Sequence, residues 1–145
     1  MFKHILVPVD GSSTANQALE KAAAIAQAFQ SEVTVVSVID IYAFAGLGGD
    51  VAYGQAEYLE AATAEAHAAI KNAKVFFETS GLAVTTTVIE GQVTYKSILE
   101  AADSAQADLI VMGSHGRKGL EKLVLGSVAA QVLSHTHLPV MIVRD

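Results

Sequence analysis

Cysteine is absent from the 145 residues, and basic side chains are scarce: 9 lysines and arginines face 15 aspartates and glutamates, a net charge of −6. The lack of cysteine excludes disulfide bonds, thiolate metal sites and cysteine nucleophiles. The acidic balance argues against sequence-independent binding to DNA or RNA, which needs a basic surface. A small anionic ligand stays compatible with this charge, because local backbone amides and a few cations can outweigh it.

Long hydrophobic runs are also missing. No stretch approaches the roughly 18 apolar residues that span a bilayer, so the protein is not expected to be embedded in a membrane. The apolar run in "MFKHILVPVD" is too short for the core of a signal peptide, and we expect a cytoplasmic location. With 52% hydrophobic and 17% charged residues, the composition predicts a compact globule, and the length predicts a single domain over residues 1–145.

Short apolar runs alternate with helical periodicity along the chain. Strands are predicted at residues 3–9, 32–39, 83–89, 108–112 and 138–145. Helices are predicted from near Thr14, which forms a capping box with Gln17, over 55–79, before the fourth strand, and over 127–135. Three of the helices have a predicted inward face. In the first helix it consists of Ala18, Ala22, Ile25, Ala26 and Phe29, in the third of Ile98, Ala101, Ala102 and Ala105, and in the last of Ala129, Val132 and Leu133.

This alternation predicts an α/β fold. Strands that are apolar on both faces indicate an open five-stranded parallel sheet with helices on both faces, for which we expect the order 3-2-1-4-5. The winding direction then reverses between the first and fourth strands, and ligands of such sheets bind in the crevice at the carboxyl ends of the strands. The turn at residues 8–11 and the glycine-rich segment 113–127 should lie on opposite sides of that crevice.

The glycine-rich segment, "GSHGRKGLEKLVLGS", is the most distinctive part of the sequence. Glycines let backbone N–H groups converge on an anion, and Gly126 and Ser127 lie where the last helix should begin, with its unpaired amides. Ser127 would either contact a phosphate or cap the helix. The spacing matches neither a Walker A loop, nor a dinucleotide fingerprint, nor a serine-hydrolase elbow. From these residues alone, an anion site and an ordinary loop are equally good explanations.

The same segment resembles a known family. Gly113-x-x-Gly116, nine further residues and then Gly126-Ser127 match the G-2x-G-9x-G-[S/T] signature of the ATP-binding universal stress proteins. The stretches "ILVPVD", "VVSVID", "EG" and "PVMIVR" are similar to that family as well, so the resemblance covers the whole chain. It implies a Rossmann-like fold of the adenine nucleotide alpha hydrolase type. The implied function is that of an ATP-binding regulator of the stress response, and not of an efficient enzyme.

The resemblance also implies a ligand site. Adenine would lie between the ends of the first two strands, against Pro8, Val9, Asp10 and Val38, with Asp10 accepting a hydrogen bond from the exocyclic amine. The ribose would face Met112, Gly113 and Ser114. The phosphate cradle would consist of His115, Gly116, Arg117, Gly126, Ser127 and Val128. The implied ligand is ATP, with AMP and ADP as alternatives, and Mg²⁺ or Mn²⁺ would bind through the phosphates.

A homodimer is implied through the last strand, at Val140, Met141, Ile142 and Val143. An apolar edge strand without internal proline or lysine needs a cover, and a second copy provides one. Two alternative functions stay open. One is a regulatory adaptor for an unidentified protein partner, such as a transporter or kinase, whose assembly the nucleotide tunes. The other is a slow ATPase or a protein that autophosphorylates on a serine of the loop.

Some of these residues have a second interpretation. Asp10 also fits a turn cap, and His115 also fits a solvated loop. His135 and His137 are better explained by the dipole at a helix end than by a metal, because no third ligand lies nearby in the sequence. The segment 40–54 is either a crossover loop or a lid over the nucleotide that uses Tyr42, Phe44 or Tyr53.

Overall fold

The structure is a computed structural model that describes residues 1–41, 51–115 and 125–144. Strands and helices alternate along these residues as predicted. The elements are β1 (His4–Pro8), α1 (Ser13–Phe29), β2 (Glu32–Asp40), α2 (Val51–Thr79), β3 (Val84–Gly91), α3 (Thr94–Ser104), β4 (Leu109–Gly113), α4 (Ser127–His135) and β5 (Val140–Val143). None of the helices within the described ranges combines the length and apolarity that a membrane span requires.

The five strands form one parallel sheet in the order β3-β2-β1-β4-β5, which confirms the predicted order. The pairing of β1 with β4 joins Ile5 to Leu109 and Leu6 to Ile110, and stops there. Beyond this point the carboxyl ends of the two strands lack a shared ladder. This is the position where the winding direction reverses, and it leaves the crevice in which ligands of such sheets bind.

Two hydrophobic clusters cover the two faces of the sheet. One cluster joins Ile5, Val7, Val35 and Val111 of the strands to α1 and α2, and the other joins Leu6, Val36 and Ile110 to α3 and α4. Successive residues of a strand thus point to opposite faces, and both faces are buried, which explains the continuous apolar runs. Alanine lets the helices approach closely: the α1 residues Ala18, Ala22 and Ala26 are fully buried.

The prediction that Leu133 and Phe29 are buried in the core is wrong. Leu133 of α4 is 41% exposed, because its neighbour Val132 is the residue of that turn that faces the core. Phe29 is 45% exposed at the end of α1, where its ring packs edge-on against Phe2. Both residues fit the helical period of a buried face, but short helices and last turns bury a narrower stripe than their period suggests.

The first helix starts differently from the capping-box prediction. Its N-cap is Ser12, whose side chain accepts a hydrogen bond from Ala15 N at 3.3 Å. Thr14 lies inside the first turn, is 3% exposed, and turns its hydroxyl away from the helix. The second helix begins at Val51, four residues before the predicted start at residue 55. Of the predicted lid residues, Tyr42 and Phe44 lie outside the described residues.

A carboxylate links β1 and β4 at their amino ends, which are the ends remote from the crevice. Asp108 accepts hydrogen bonds from Lys3 N at 2.9 Å and His4 N at 3.0 Å. Partial burial raises the pKa of the Asp108 carboxyl, but these backbone hydrogen bonds outweigh that effect and hold the pKa below its ordinary value of 3.8. The two strands are therefore joined at their amino ends, while their carboxyl ends flank the crevice.

Candidate functional site

A cleft of about 510 Å³ lies at the carboxyl ends of β1, β2 and β4. This volume falls within the range of roughly 300–1,000 Å³ that is typical of small-molecule sites. Every predicted site residue that the structure describes lines it: Pro8, Val9, Asp10, Val38, Met112, Gly113, Ser114, His115, Gly126, Ser127 and Val128. The other two, Gly116 and Arg117, lie outside the described residues.

The lining also contains residues that were not predicted: Ser12, Ala15, Val36, Asp40, Tyr58, Thr94, Ile98 and Ala129. Two of them carry a signal in the sequence. Val36 lies two positions before Val38 and so shares its face of the strand, and Asp40 ends β2 much as Asp10 follows β1. Tyr58 has no such signal, because it reaches the cleft from α2, whose placement depends on tertiary packing.

The β1 side of the cleft is a tight turn into α1. Val9 N donates to Val36 O at 2.8 Å, and Asp10 Oδ1 accepts from Ser12 N at 2.9 Å. Gly11 between them adopts a φ of 82°, a left-handed conformation that glycine takes readily. Asp10 therefore stabilises the turn, which is the alternative role that the sequence suggested for it, and it also lines the cleft.

Gly113, at the β4 side, packs directly against the start of α1. A Cβ atom at this position would lie 2.5 Å from Thr14 Oγ1 and 2.8 Å from both the Thr14 carbonyl carbon and Cβ. Real Cβ atoms essentially never approach other heavy atoms so closely. The absence of a side chain at Gly113 is therefore required by the packing of the protein itself.

Ser114 connects three parts of this side of the cleft. It is 1% exposed; its N–H donates to Val143 O of β5 at 2.8 Å, and its carbonyl accepts from Gly126 N at 2.7 Å. Its hydroxyl oxygen lies 3.0 Å from Nδ1 of His115. The buried backbone of Ser114 thereby joins β4 to β5 and to the start of α4.

The start of α4 supplies backbone donors to the cleft. Its N-cap is Gly126, with φ −62° and ψ 157°, and no side chain caps the helix. Ser127 is the first helical residue, so its alternative role as the cap is wrong. The amides of the first turn have no partner within the helix, and they carry the positive end of the helix dipole. Ser127 and Val128 bring this end to the lining.

The cleft is therefore electrostatically asymmetric. Two carboxylates, Asp10 and Asp40, line the side formed by β1 and β2, and Tyr58 lies with them. Burial raises the pKa of the Tyr58 hydroxyl, and the charges of Asp40 and Glu65 raise it further, so the phenol stays protonated at neutral pH. The β4 and α4 side offers N–H donors and His115. The lining within the described ranges contains no lysine or arginine.

No group of three or more His, Cys, Asp or Glu side chains within the described parts of the chain is arranged to hold a metal ion. His135 instead directs Nδ1 to the carbonyl of Gln131 at 2.8 Å and packs its ring against Tyr95, with 4.6 Å between the ring centroids.

Comparison with known proteins places these features in context. A family model described as "Universal stress protein family" matches residues 1–144. Universal stress protein MJ0531 of Methanocaldococcus jannaschii is 38% identical over 145 residues, 99% of this chain and 83% of that protein. The solved structure of protein MJ0577 from the same organism has a TM-score of 0.84 at 32% identity, over 100% of this chain and 97% of that one. A universal stress protein from Archaeoglobus fulgidus, solved in complex with dAMP, shares the fold with a TM-score of 0.71 at 23% identity, over 98% of each chain.

Proposed function

Because the chain belongs to the universal stress protein family, we propose that it is a cytoplasmic regulator of the stress response that binds ATP in this cleft. The observation that carries the proposal is the asymmetry of the cleft. Carboxylate acceptors lie at one end, and the uncapped start of α4 lies at the other. A nucleotide has the matching asymmetry, with hydrogen-bond donors on its nucleoside and negative charge on its phosphates.

The charges set the orientation of the ligand. Phosphates are repelled by Asp10 and Asp40 and attracted to the amides of Ser127 and Val128, so they lie at the α4 end. The base then lies at the β1 and β2 end, where Val38 and Pro8 offer apolar contact and Asp10 offers an acceptor to the exocyclic amine of adenine. The bound dAMP of the Archaeoglobus fulgidus protein belongs to the same ligand class. Extending that class to this chain is part of the proposal.

A divalent cation fits the same arrangement. The described lining has two carboxylates, whose negative charge adds to that of a triphosphate. Mg²⁺ or Mn²⁺ bound to the phosphates would offset part of this negative charge. The residues of this chain would hold the nucleotide, and the nucleotide would hold the metal.

We propose binding without efficient hydrolysis. Rapid phosphoryl transfer needs cationic groups on the transferring phosphoryl and a residue that orients the attacking water. The described lining offers His115 and the helix start near the phosphates, while Asp10 and Asp40 lie at the other end of the cleft. These groups suit the capture of a phosphate better than its transfer.

Purified protein is expected to release an adenine nucleotide on denaturation, and the emptied protein to bind ATP again. If the metal offsets part of the triphosphate charge, removal of Mg²⁺ with a chelator should weaken ATP binding about tenfold and change AMP binding much less, as AMP carries fewer charges. Calorimetric titrations with ATP and AMP, each with and without Mg²⁺, measure both effects. Absence of adenine nucleotide binding at millimolar concentration would contradict the proposal.

We also propose that the protein forms a homodimer through β5. This strand lies at one edge of the sheet, with β4 on its inner side. Its Met141 is 39% exposed, and Leu133 of the neighbouring α4 is 41% exposed. An apolar edge strand with exposed apolar side chains is the kind of surface that a second copy covers.

The replacement Met141→Lys is expected to convert the dimer into monomers, because a lysine in an edge strand opposes pairing with another edge. Val75→Lys is the matched control, since Val75 is 54% exposed on α2, away from this edge. Light scattering coupled to gel filtration gives the molar mass of each variant. A monomeric wild type, or equal masses for wild type and Met141→Lys, would show that β5 is not the interface.

A further inference from the structure

His115 is fixed through both its backbone and its ring. Its carbonyl accepts a hydrogen bond from Thr14 Oγ1 at 2.6 Å, and Thr14 is 3% exposed. Its ring nitrogen Nδ1 lies 3.0 Å from the hydroxyl oxygen of Ser114, which is 1% exposed. Two buried hydroxyl groups therefore set the position of this cleft residue before any ligand binds.

The second ring nitrogen of His115, Nε2, is in a different situation. It is shielded from solvent and has no hydrogen-bond partner among the residues that the structure describes. A buried polar atom without a partner is unfavourable, and such atoms are rare in folded proteins. Since Nδ1 is engaged by Ser114, Nε2 is the ring nitrogen left for a ligand. His115 lines the cleft together with Gly126 and Ser127, at the end assigned to the phosphates.

The location of the ring proton decides what Nε2 can bind. A neutral imidazole carries one proton, on either Nδ1 or Nε2. If the Ser114 hydroxyl donates to Nδ1, the proton is on Nε2, which then donates to a ligand. If Nδ1 donates to the Ser114 oxygen instead, Nε2 presents a lone pair, which phosphate oxygens repel. The hydrogen bond made by one ring nitrogen thus sets the chemistry of the other.

We infer that Ser114 is a positioning residue for nucleotide binding: its hydroxyl donates to Nδ1 of His115, and Nε2–H then donates to a phosphate oxygen. This inference rests on the proposed function. In the G-2x-G part of the signature, Ser114 and His115 are the two unspecified positions. The resemblance implies that Ser114 contacts the ribose. The inference gives Ser114 a different role, which acts on the ligand through His115.

The ring proton can be observed directly. Long-range ¹H–¹⁵N correlation spectra of the ligand-free protein in mildly alkaline buffer distinguish the two neutral forms of histidine. Wild-type protein is expected to carry the His115 proton on Nε2, and Ser114→Ala to populate the Nδ1–H form. Ser37→Ala removes another buried hydroxyl, at 3% exposure on β2, and should leave His115 unchanged. A wild-type spectrum with the proton on Nδ1 would overturn the inference.

Affinities test the contact with phosphate. Ser114→Ala is expected to lower ATP affinity at least about tenfold, the lower limit for the loss of one hydrogen bond to a charged group, and to leave adenosine affinity unchanged. In a His115→Ala background the same replacement should have no further effect, because Ser114 acts through His115. Equal losses for ATP and adenosine, or additive losses in the double variant, would overturn the inference.

The proposed function and this inference fail separately. If wild-type protein binds no ATP, the proposed function and the phosphate contact are both wrong, and the spectra still decide whether Ser114 sets the proton of His115. If wild-type protein binds ATP and Ser114→Ala binds it equally well, the proposed function stands and the role of Ser114 is wrong. The unfolding midpoints of all variants show whether a loss of affinity reflects a loss of folded protein.

Discussion

Replacement of Gly126 by valine is expected to abolish nucleotide binding and to leave the fold intact. The backbone of Gly126, with φ −62° and ψ 157°, is in a region that any residue adopts, so the backbone does not require glycine here. Gly126 lines the cleft where the amides of α4 begin, and a branched side chain would occupy the space that a phosphate needs. We expect affinity for ATP to fall at least about 100-fold, and stability to fall by about 1 kcal/mol because valine is a poor N-cap.

Calorimetric titration with ATP measures the first effect and urea unfolding the second. Gln131→Val is the matched control, since it introduces the same side chain at an exposed position of α4 outside the cleft lining. It should retain ATP binding. Wild-type affinity in Gly126→Val would place the phosphates elsewhere than at the start of α4.

Gly113→Ala is expected to have the opposite outcome, with loss of stability as the primary effect. The added Cβ would lie 2.8 Å from the Thr14 carbonyl carbon, which belongs to the backbone and cannot move without displacing α1. Overpacking of this kind costs about 3 kcal/mol. For a chain of this length, that loss lowers the melting temperature by about 10 °C.

Thermal unfolding of the ligand-free protein measures this effect without interference from binding. Gly54→Ala is the matched control, because a Cβ at Gly54 in α2 meets no atom of the described residues within 4 Å. Alanine there should be neutral or stabilise the helix by up to about 1 kcal/mol. If Gly113→Ala melts like wild type and loses only its affinity for nucleotide, the glycine serves the ligand and not the packing.

These two glycines show where the sequence is informative and where it is not. Both belong to one signature, and spacing alone assigns both to the ligand. The packing role of Gly113 depends on Thr14, a residue about 100 positions away in the sequence that lies directly against it. A sequence signature shows that a position must be glycine. Only the tertiary structure shows whether a side chain there would collide with the protein itself or with the ligand.

The fold was more accessible to prediction than the details of the site. Apolar runs and helical periods depend on neighbouring residues, so the strands and their order were predicted correctly. Thr14 was predicted as a cap because a hydroxyl in the first turn of a helix resembles one, and its partner, the carbonyl of His115, is remote in sequence. Tyr58 reaches the cleft from a helix whose start was placed four residues too late, because Gly54 resembled part of a loop.

Two walls of the cleft come from residues 8–12 and from residues 112–115 and 126–129, which lie about 100 positions apart in the chain. A nucleotide bound between these walls would contact both of them at once, which is possible only when the whole chain is folded. A ligand that binds only the folded chain adds about 2.7 kcal/mol of stability at 100 times its dissociation constant, and this gain vanishes as the ligand is depleted. A fall in cellular ATP would then shorten the lifetime of the protein itself, so that its abundance would follow the energy state of the cell.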